Sequence, residues 1–222
     1  TIKSHAIQMD YKQDGKDYTL NLIDTPGHVD FSYEVEKSLR ACEGALLVVD
    51  ASQGVESQTV ANFYLAIDNN LEILPVLNKV DIASVDIDHA KLQLMEILNC
   101  NEENMQLVSA KAGIGIKDLF EKVVDFIPPP EGDESAPLKA LIFDMKYDIY
   151  KGIIVYVRVI DGVITPGMRI KMMHMDKEYG VEEMGVFRPD AVKVKQLECG
   201  EVGYITCNTH DPRDVRVGDT IT

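Results

Sequence analysis

Three short motifs, each set at the end of an apolar stretch, hold the residue types that nucleotide chemistry needs. The first is Asp24-Thr25-Pro26-Gly27-His28. Asp24 closes an apolar strand pattern, and open α/β sheets bind ligands beyond the carboxyl ends of their strands. A carboxylate there can hold Mg²⁺ through a water, because Mg²⁺ keeps much of its hydration shell. Gly27 has no Cβ, so its backbone N–H can approach a γ-phosphate. His28 follows, where a side chain can orient the water that attacks phosphorus. A histidine hydrogen-bonded within a loop is the plainer alternative. The second motif, Asn78-Lys79-Val80-Asp81, follows the run Ile73–Leu77. The Asp81 carboxylate is an acceptor-only fork, matched to the N1–H and exocyclic amine of guanine. Adenine lacks that donor pair, and a site built on it rejects the wrong base by ~10⁴–10⁵-fold. Lys79 can lay its methylenes over the ring and keep its ammonium in water, and Asn78 can tie the loop to its neighbours. The competing explanation is a polar strand-to-helix turn. The third motif, Ser109-Ala110-Lys111, offers backbone N–H groups to guanine O6. In this order the three predict guanine-nucleotide binding. The loop G-x-x-x-x-G-K-[ST], which cradles the α/β-phosphates, occurs nowhere in the 222 residues.

The elements needed to position these motifs are legible. Residues 1–11 and Tyr18–Asp24 predict two strands joined by a turn at Gln13–Lys16. Ala45–Asp50, Ile73–Leu77 and Gln106–Val108 are short continuous apolar runs, as buried parallel strands require. Helical patterns occupy Phe31–Cys42, Ser57–Asp68, His89–Leu98 and Ile116–Phe126, the last with a stripe of Leu119, Phe120, Val123 and Val124. Strands alternating with helices predict a parallel sheet covered on both faces. At Pro128–Pro137 the chain turns polar and proline-rich, a semi-rigid linker. Beyond it the alternation has period two, with strands at Ile153–Ile160, Met168–Met172 and Val202–Cys207, and turns at Asp161-Gly162, Thr165–Gly167, Cys199-Gly200 and Arg216–Asp219. Short strands with regular turns predict a small β-barrel. The expected domains are therefore 1–130, a linker over 131–137, and 138–222.

Composition narrows the function classes. At 45% hydrophobic residues the chain can bury a core. A net charge of −15 argues against binding naked nucleic acid, free DNA included. Four scattered cysteines without a CxxC pair predict reduced thiols in a cytosolic compartment. No apolar run approaches the ~20 residues of a membrane span, and no signal peptide is visible. The chain opens in mid-strand without Met, as a cut piece of a longer protein would. His5, His89, His174 and His210 have no partner at metal-ligand spacing. Met168, Met172, Met173 and Met175 suit packing on a barrel strand.

These residues resemble the translational GTPases that work on the ribosome. The resemblance rests on Ile23–Phe31, Glu34–Glu36 and Ser38–Arg40. Ala51–Asn62, Tyr64–Ile67, Ile127–Pro130, Ala136–Asp144, Val155–Val159, Gly185–Phe187 and Asp214–Ile221 point to the LepA-type branch of that family. BipA-type and elongation-factor-G-like factors are the nearest alternatives. Only 27 residues separate Asp81 from Ser109, too few for the subdomain that the translocase inserts.

The resemblance implies a P-loop-NTPase-like G domain lacking its phosphate loop, followed by an elongation-factor domain-II-like barrel. It makes His28 the catalytic histidine, and Asp24 and Gly27 the Mg²⁺/γ-phosphate sensor. Asn78, Lys79, Val80 and Asp81 become the guanine reader, helped by Ser109, Ala110 and Lys111, and Thr1 becomes a Mg²⁺-touching switch threonine. It further implies GTP and GDP as ligands, and hydrolysis that drives tRNA/mRNA repositioning (back-translocation) and fidelity. The implied setting is a ribosome carrying tRNA and mRNA, reached by a cytoplasmic monomer that also associates peripherally with the cell membrane. The 222 residues alone are expected to be inactive. Two other functions compete: a non-hydrolysing ribosome-docking module, and a GTPase subunit outside translation.

Overall fold

The computed structural model describes residues 4–209 and 211–222, with the Val29 side chain left out. The chain forms two compact units. One is Pro26–Pro128, and the other joins the N-terminal residues through Thr25 to Pro129–Thr222.

The first unit is α/β. Its strands β3 (Gly44–Asp50), β4 (Glu72–Asn78) and β5 (Gln106–Val108) are parallel, in the order β3-β4-β5. Helices α1 (Ser32–Leu39), α2 (Ser57–Asp68), α3 (Ile87–Leu98) and α4 (Ile116–Phe126) connect and cover them. Period-two alternation along β4 sends Leu77 towards α3, against Ala90 and Leu94, and sends Leu74 and Val76 towards Leu119 of α4. Val35 and Leu39 of α1 meet Ala66 of α2 in a third cluster that also takes in Ile73. The helix starts have identifiable caps. Glu56 and Thr59 form a capping box at α2, and the Asp86 carboxylate accepts from His89 N at α3. Register then sets the functional geometry: Asp50 is level with Asn78, and Asn78 with Val108. The loops that follow the three strands therefore leave the sheet side by side.

The second unit begins with an antiparallel hairpin, β1 (His5–Gln13) and β2 (Lys16–Asp24). Its two-residue turn has positive φ at both Asp14 (50°) and Gly15 (79°), the requirement that Asp-Gly meets. The remaining strands are β6 (Lys139–Asp148), β7 (Gly152–Asp161), β8 (Arg169–Met172), β9 (Lys177–Gly180), β10 (Glu183–Arg188), β11 (Asp190–Lys193), β12 (Val202–Thr206) and β13 (Thr220–Ile221). They form one sheet ordered β11-β10-β12-β7-β6-β13-β8-β9. β9 and β10 lie near opposite ends of that order, yet only Val181 and Glu182 separate them. Val181 N donates to Met168 O beside β8, and Glu182 N to Thr206 O on β12, so the sheet curls on itself into a barrel. One core fills it, including Ile142, Val155, Val157, Met172, Met184, Leu197, Ile205 and Cys207. Met172 lies in that core and Met168 and Met175 pack against it, while Met173, expected to pack as well, is 56% exposed. The outward positions of β6, β7, β10 and β12 carry a run of touching rings: Phe143, Tyr156, Phe187 and Tyr204. Gly185 allows this approach. A Cβ there would lie 2.4 Å from Val192 O and 2.7 Å from the Tyr204 ring.

The units change at Pro128–Pro129, inside the proline run, and again at Thr25–Pro26. Among the described residues the hairpin ladders only with itself, and β1 packs on β10 and β12. Strands β6, β9, β10, β11 and β13 are further elements that the alternation did not single out.

Candidate nucleotide site

Asn78 stands at the centre of the candidate site. Its side-chain Oδ1 accepts from Lys79 N at 2.8 Å and from Ala110 N at 3.1 Å, joining the loop after β4 to the loop after β5. Val80 N adds a bond to Val108 O at 3.3 Å, and the Val80 side chain packs on the core beneath. Lys79 is held at φ +68°, a left-handed conformation that non-glycine residues rarely adopt. Asp81 follows in a turn and is exposed, and forms no hydrogen bond or ion pair among the described residues. Its two oxygens are open to a donor pair.

The Lys79 ammonium is not simply in water as expected. It pairs with Asp50 Oδ2 at 2.5 Å, across the β3/β4 register. Partial burial pushes the Asp50 carboxyl up, but Lys79 together with the Ser52 hydroxyl and N–H outweighs it and holds Asp50 below the usual carboxylate range. Asp50 is a site residue that the motif reading missed. The available signal was its position, the last residue of an apolar strand like Asn78.

The third motif also differs in detail. Ser109 is fully buried and bridges to Ile114 through both backbone groups, while its hydroxyl accepts from Ala112 N at 3.1 Å. This tight loop uses Ser109 N, Ala110 N and Ala112 N inside the chain, so within the motif the offer of an N–H to guanine O6 narrows to Lys111. Ala110 and Lys111 are exposed.

In the first motif, Asp24 is the last residue of β2, opposite His5, and is exposed. A Cβ built on Gly27 would meet nothing within 4 Å, so space is open at that backbone, and Gly27 O accepts from Asn62 Nδ2 at 3.5 Å. His28 is exposed, its Nδ1 3.2 Å from Asp30 Oδ2, with the ring edge-on to Phe31 at 6.3 Å. That is the geometry of a loop histidine. Thr1 lies outside the described residues, as does His210.

The residues present fit the base half of a guanine nucleotide: an open carboxylate fork, braced on a buried serine loop. For the metal they offer Asp24, one exposed carboxylate, which suits an ion that keeps its waters and phosphate ligands.

Comparison with known proteins gives the family and the fold. Residues 1–129 match the family described as the elongation factor Tu GTP binding domain, and residues 152–222 match elongation factor Tu domain 2. Elongation factor 4 of Clostridium perfringens (strain SM101 / Type A) is 57% identical over 224 aligned residues, and that of Geobacillus thermodenitrificans (strain NG80-2) is 54% identical over 223. Both alignments cover 100% of this chain and 37% of the relative, so the chain spans just over a third of their length. Among solved structures, a bacterial selenocysteine-specific elongation factor EF-Sec is similar at TM-score 0.78 and 23% identity, over 98% of this chain and 38% of that one. Elongation factor SelB from Methanococcus maripaludis, solved with the GTP analogue GPPNHP, is similar at TM-score 0.79 and 21% identity, over 100% of this chain and 49% of that one. At these identities the structures show the fold: an elongation-factor G domain with a domain-II barrel. The resemblance to the LepA-type branch is borne out by the elongation factor 4 relatives. The chain thus belongs to the elongation factor Tu family of GTP-binding proteins, a family of translation GTPases.

Proposed function

We propose that these residues are the base-reading and phosphate-sensing part of a ribosome-associated, LepA-like GTPase that hydrolyses GTP to GDP and phosphate. Repositioning of tRNA and mRNA, in the back-translocation sense, and translational fidelity are the proposed purpose of that hydrolysis. The observation that carries the reading is the Asn78 side chain bonded to both Lys79 N and Ala110 N, which braces the loop presenting Asp81. In this reading Asp81 accepts from guanine N1–H and the exocyclic amine, and the Lys79 stem, anchored on Asp50, lies over the ring face. Gly27 N–H meets the γ-phosphate. His28 leaves Asp30 to orient the attacking water, its worth being the placement of the nucleophile. Mg²⁺, when bound through a water on Asp24, neutralises charge on the phosphates. The division into a GTP-binding domain over 1–130, a linker over 131–137 and a barrel over 138–222 belongs to the same proposal, as does a monomer acting in the cytoplasm.

Among the described residues no helix is long and apolar enough to cross a membrane. Nothing in the fold or the comparisons argues for attachment at a membrane surface, so peripheral attachment is not part of the proposal. The 54–57% identity to elongation factor 4 favours the LepA-type branch over BipA-type or elongation-factor-G-like factors.

The test is a change of base specificity. An amide at position 81 presents one donor and one acceptor, which mismatches guanine and matches xanthine, whose C2 carries an oxygen. In the full-length protein, Asp81→Asn is expected to weaken GTP binding by about 10²-fold or more and to strengthen xanthosine triphosphate binding. Competition binding with the two nucleotides reads this directly, and unchanged GTP preference would sink the assignment.

A further inference from the structure

The hairpin β1–β2 lies on the barrel, and the manner in which it is held gives the barrel a role. Among the described residues β1 and β2 ladder only with each other, and β1 lies on β10 and β12. The contact turns on Gln8, a polar residue only 5% exposed. Its Oε1 accepts from Arg188 Nε at 3.0 Å and from Arg188 Nη2 at 2.5 Å. Its Nε2 donates to Glu201 Oε1 at 3.1 Å, and the other Glu201 oxygen accepts from Glu198 N at 2.8 Å. The same guanidinium reaches Asp10, two residues along β1, through Nη1 to Oδ2 at 3.0 Å and Nη2 to Oδ1 at 3.2 Å. Arg188 is the last residue of β10, and Pro189 fixes the turn that follows it.

The two arms differ in weight. Asp10 and Arg188 are 69% and 41% exposed, so their ion pair is screened by water. The Gln8 arm is the more buried of the two. Removing Arg188 strands a buried carbonyl oxygen, which costs more than the loss of a surface pair. Planar, multidentate bonding of this kind also fixes direction, which a lysine cannot do.

We propose that Arg188 is a positioning residue: it locks the hairpin to the barrel and so sets where Asp24, the end of β2, stands. This rests on the reading of Asp24 as the phosphate and metal sensor. Barrel and sensor are then one mechanical piece, and a force on the barrel is felt at Asp24 by way of Gln8 and Arg188.

The experiment uses the full-length protein and its Arg188→Ala, Asp24→Asn and double-swap Asp10→Arg/Arg188→Asp variants. Hydrogen exchange is followed separately in residues 5–24 and in β7 and β12. Preference for GTP over GDP is read with fluorescent nucleotides. Arg188→Ala is expected to speed exchange of the hairpin amides by about tenfold while β7 and β12 stay protected. It should also reduce the GTP preference by about threefold, with partial recovery of both in the swap. Unchanged hairpin exchange overturns the latch. Faster exchange with full GTP preference, while Asp24→Asn loses that preference, overturns the positioning role alone. Should Asp24→Asn itself leave the preference intact, the sensor reading fails, and the positioning claim falls with it for that distinct reason. If Arg188→Ala unfolds the barrel, Gln8→Leu replaces it, since it breaks the buried arm, Gln8 to Arg188 and to Glu201, from the hairpin side, with the same outcomes decisive.

Discussion

Glu183 illustrates how single residues here are tuned by neighbours rather than by burial. Lys151 Nζ lies 2.6 Å from its Oε1, Lys193 Nζ 2.5 Å from its Oε2, and the Tyr204 hydroxyl 3.2 Å from Oε1. The two ammonium groups lead this set and pull the carboxyl from its ordinary 4.5 down to about 2. A folded-state value below the unfolded one contributes stability that is complete above the unfolded value. It is lost as the pH falls through the folded one. The window is therefore pH 4.5 to 2, and the contribution, screened because both lysines are partly exposed, is about 1–2 kcal/mol. Urea midpoints across that window should fall more steeply for the wild type than for Glu183→Gln; parallel curves would show that the cluster adds nothing. At this scale the nucleotide motifs were legible as residue types, because Asp, Gly, His, Asn and Lys announce their chemistry by donor and acceptor count. Their partners were not. Asp50 meets Lys79 across 29 positions, and Gln8 meets Arg188 across 180, distances over which no local spacing rule operates.

Elements carry the second layer of the design. The β4–α3 packing that sets the level of Asn78 depends on Leu94, fully buried among Val49, Leu77, Ala90 and Met105. Leu94→Ala leaves a cavity in a core with little room to collapse, and is expected to cost about 2–5 kcal/mol, readable as a lower urea midpoint at unchanged slope. A loss below 0.5 kcal/mol, taken as roughly the scale of surface substitutions, would mean that α3 is not anchored there. The parallel strands were legible because both faces are covered, so Ala45–Asp50 and Ile73–Leu77 read as unbroken apolar runs. β9 and β11 were not, for the opposite reason. Lys177–Gly180 and Asp190–Lys193 are polar and mostly exposed, and only their hydrogen bonds to β8 and β10 make them strands. The hairpin turn was legible from Asp14-Gly15. Its attachment to β10 and β12 was not, because a side-on contact leaves no period in the sequence.

For the molecule as a whole, two quantities decide behaviour: what the 222 residues contain and what charge they carry. In the proposed reading they hold a base reader and a sensor, and the sequence G-x-x-x-x-G-K-[ST], whose N–H groups and lysine neutralise phosphates in P-loop proteins, does not occur among them. The isolated 222-residue chain is therefore expected to bind GDP weakly and to release no phosphate from GTP. Isothermal titration and a phosphate-release assay check this, and a robust ribosome-independent rate would refute it. The net charge of −15 adds a long-range repulsion for polyphosphates that salt would soften. The barrel core also holds a chemical clock. Cys207 is 2% exposed, and burial pushes its thiol up to about 12. Cys42, Cys100 and Cys199 are each partly accessible. A thiol reagent added to the native protein therefore meets three partly accessible cysteines, with the Cys100 and Cys199 thiols pushed up by burial, and one that waits for the barrel to open. The lag of that fourth modification converts the breathing of the β-sheet into a mass change of one label, with no engineered probe.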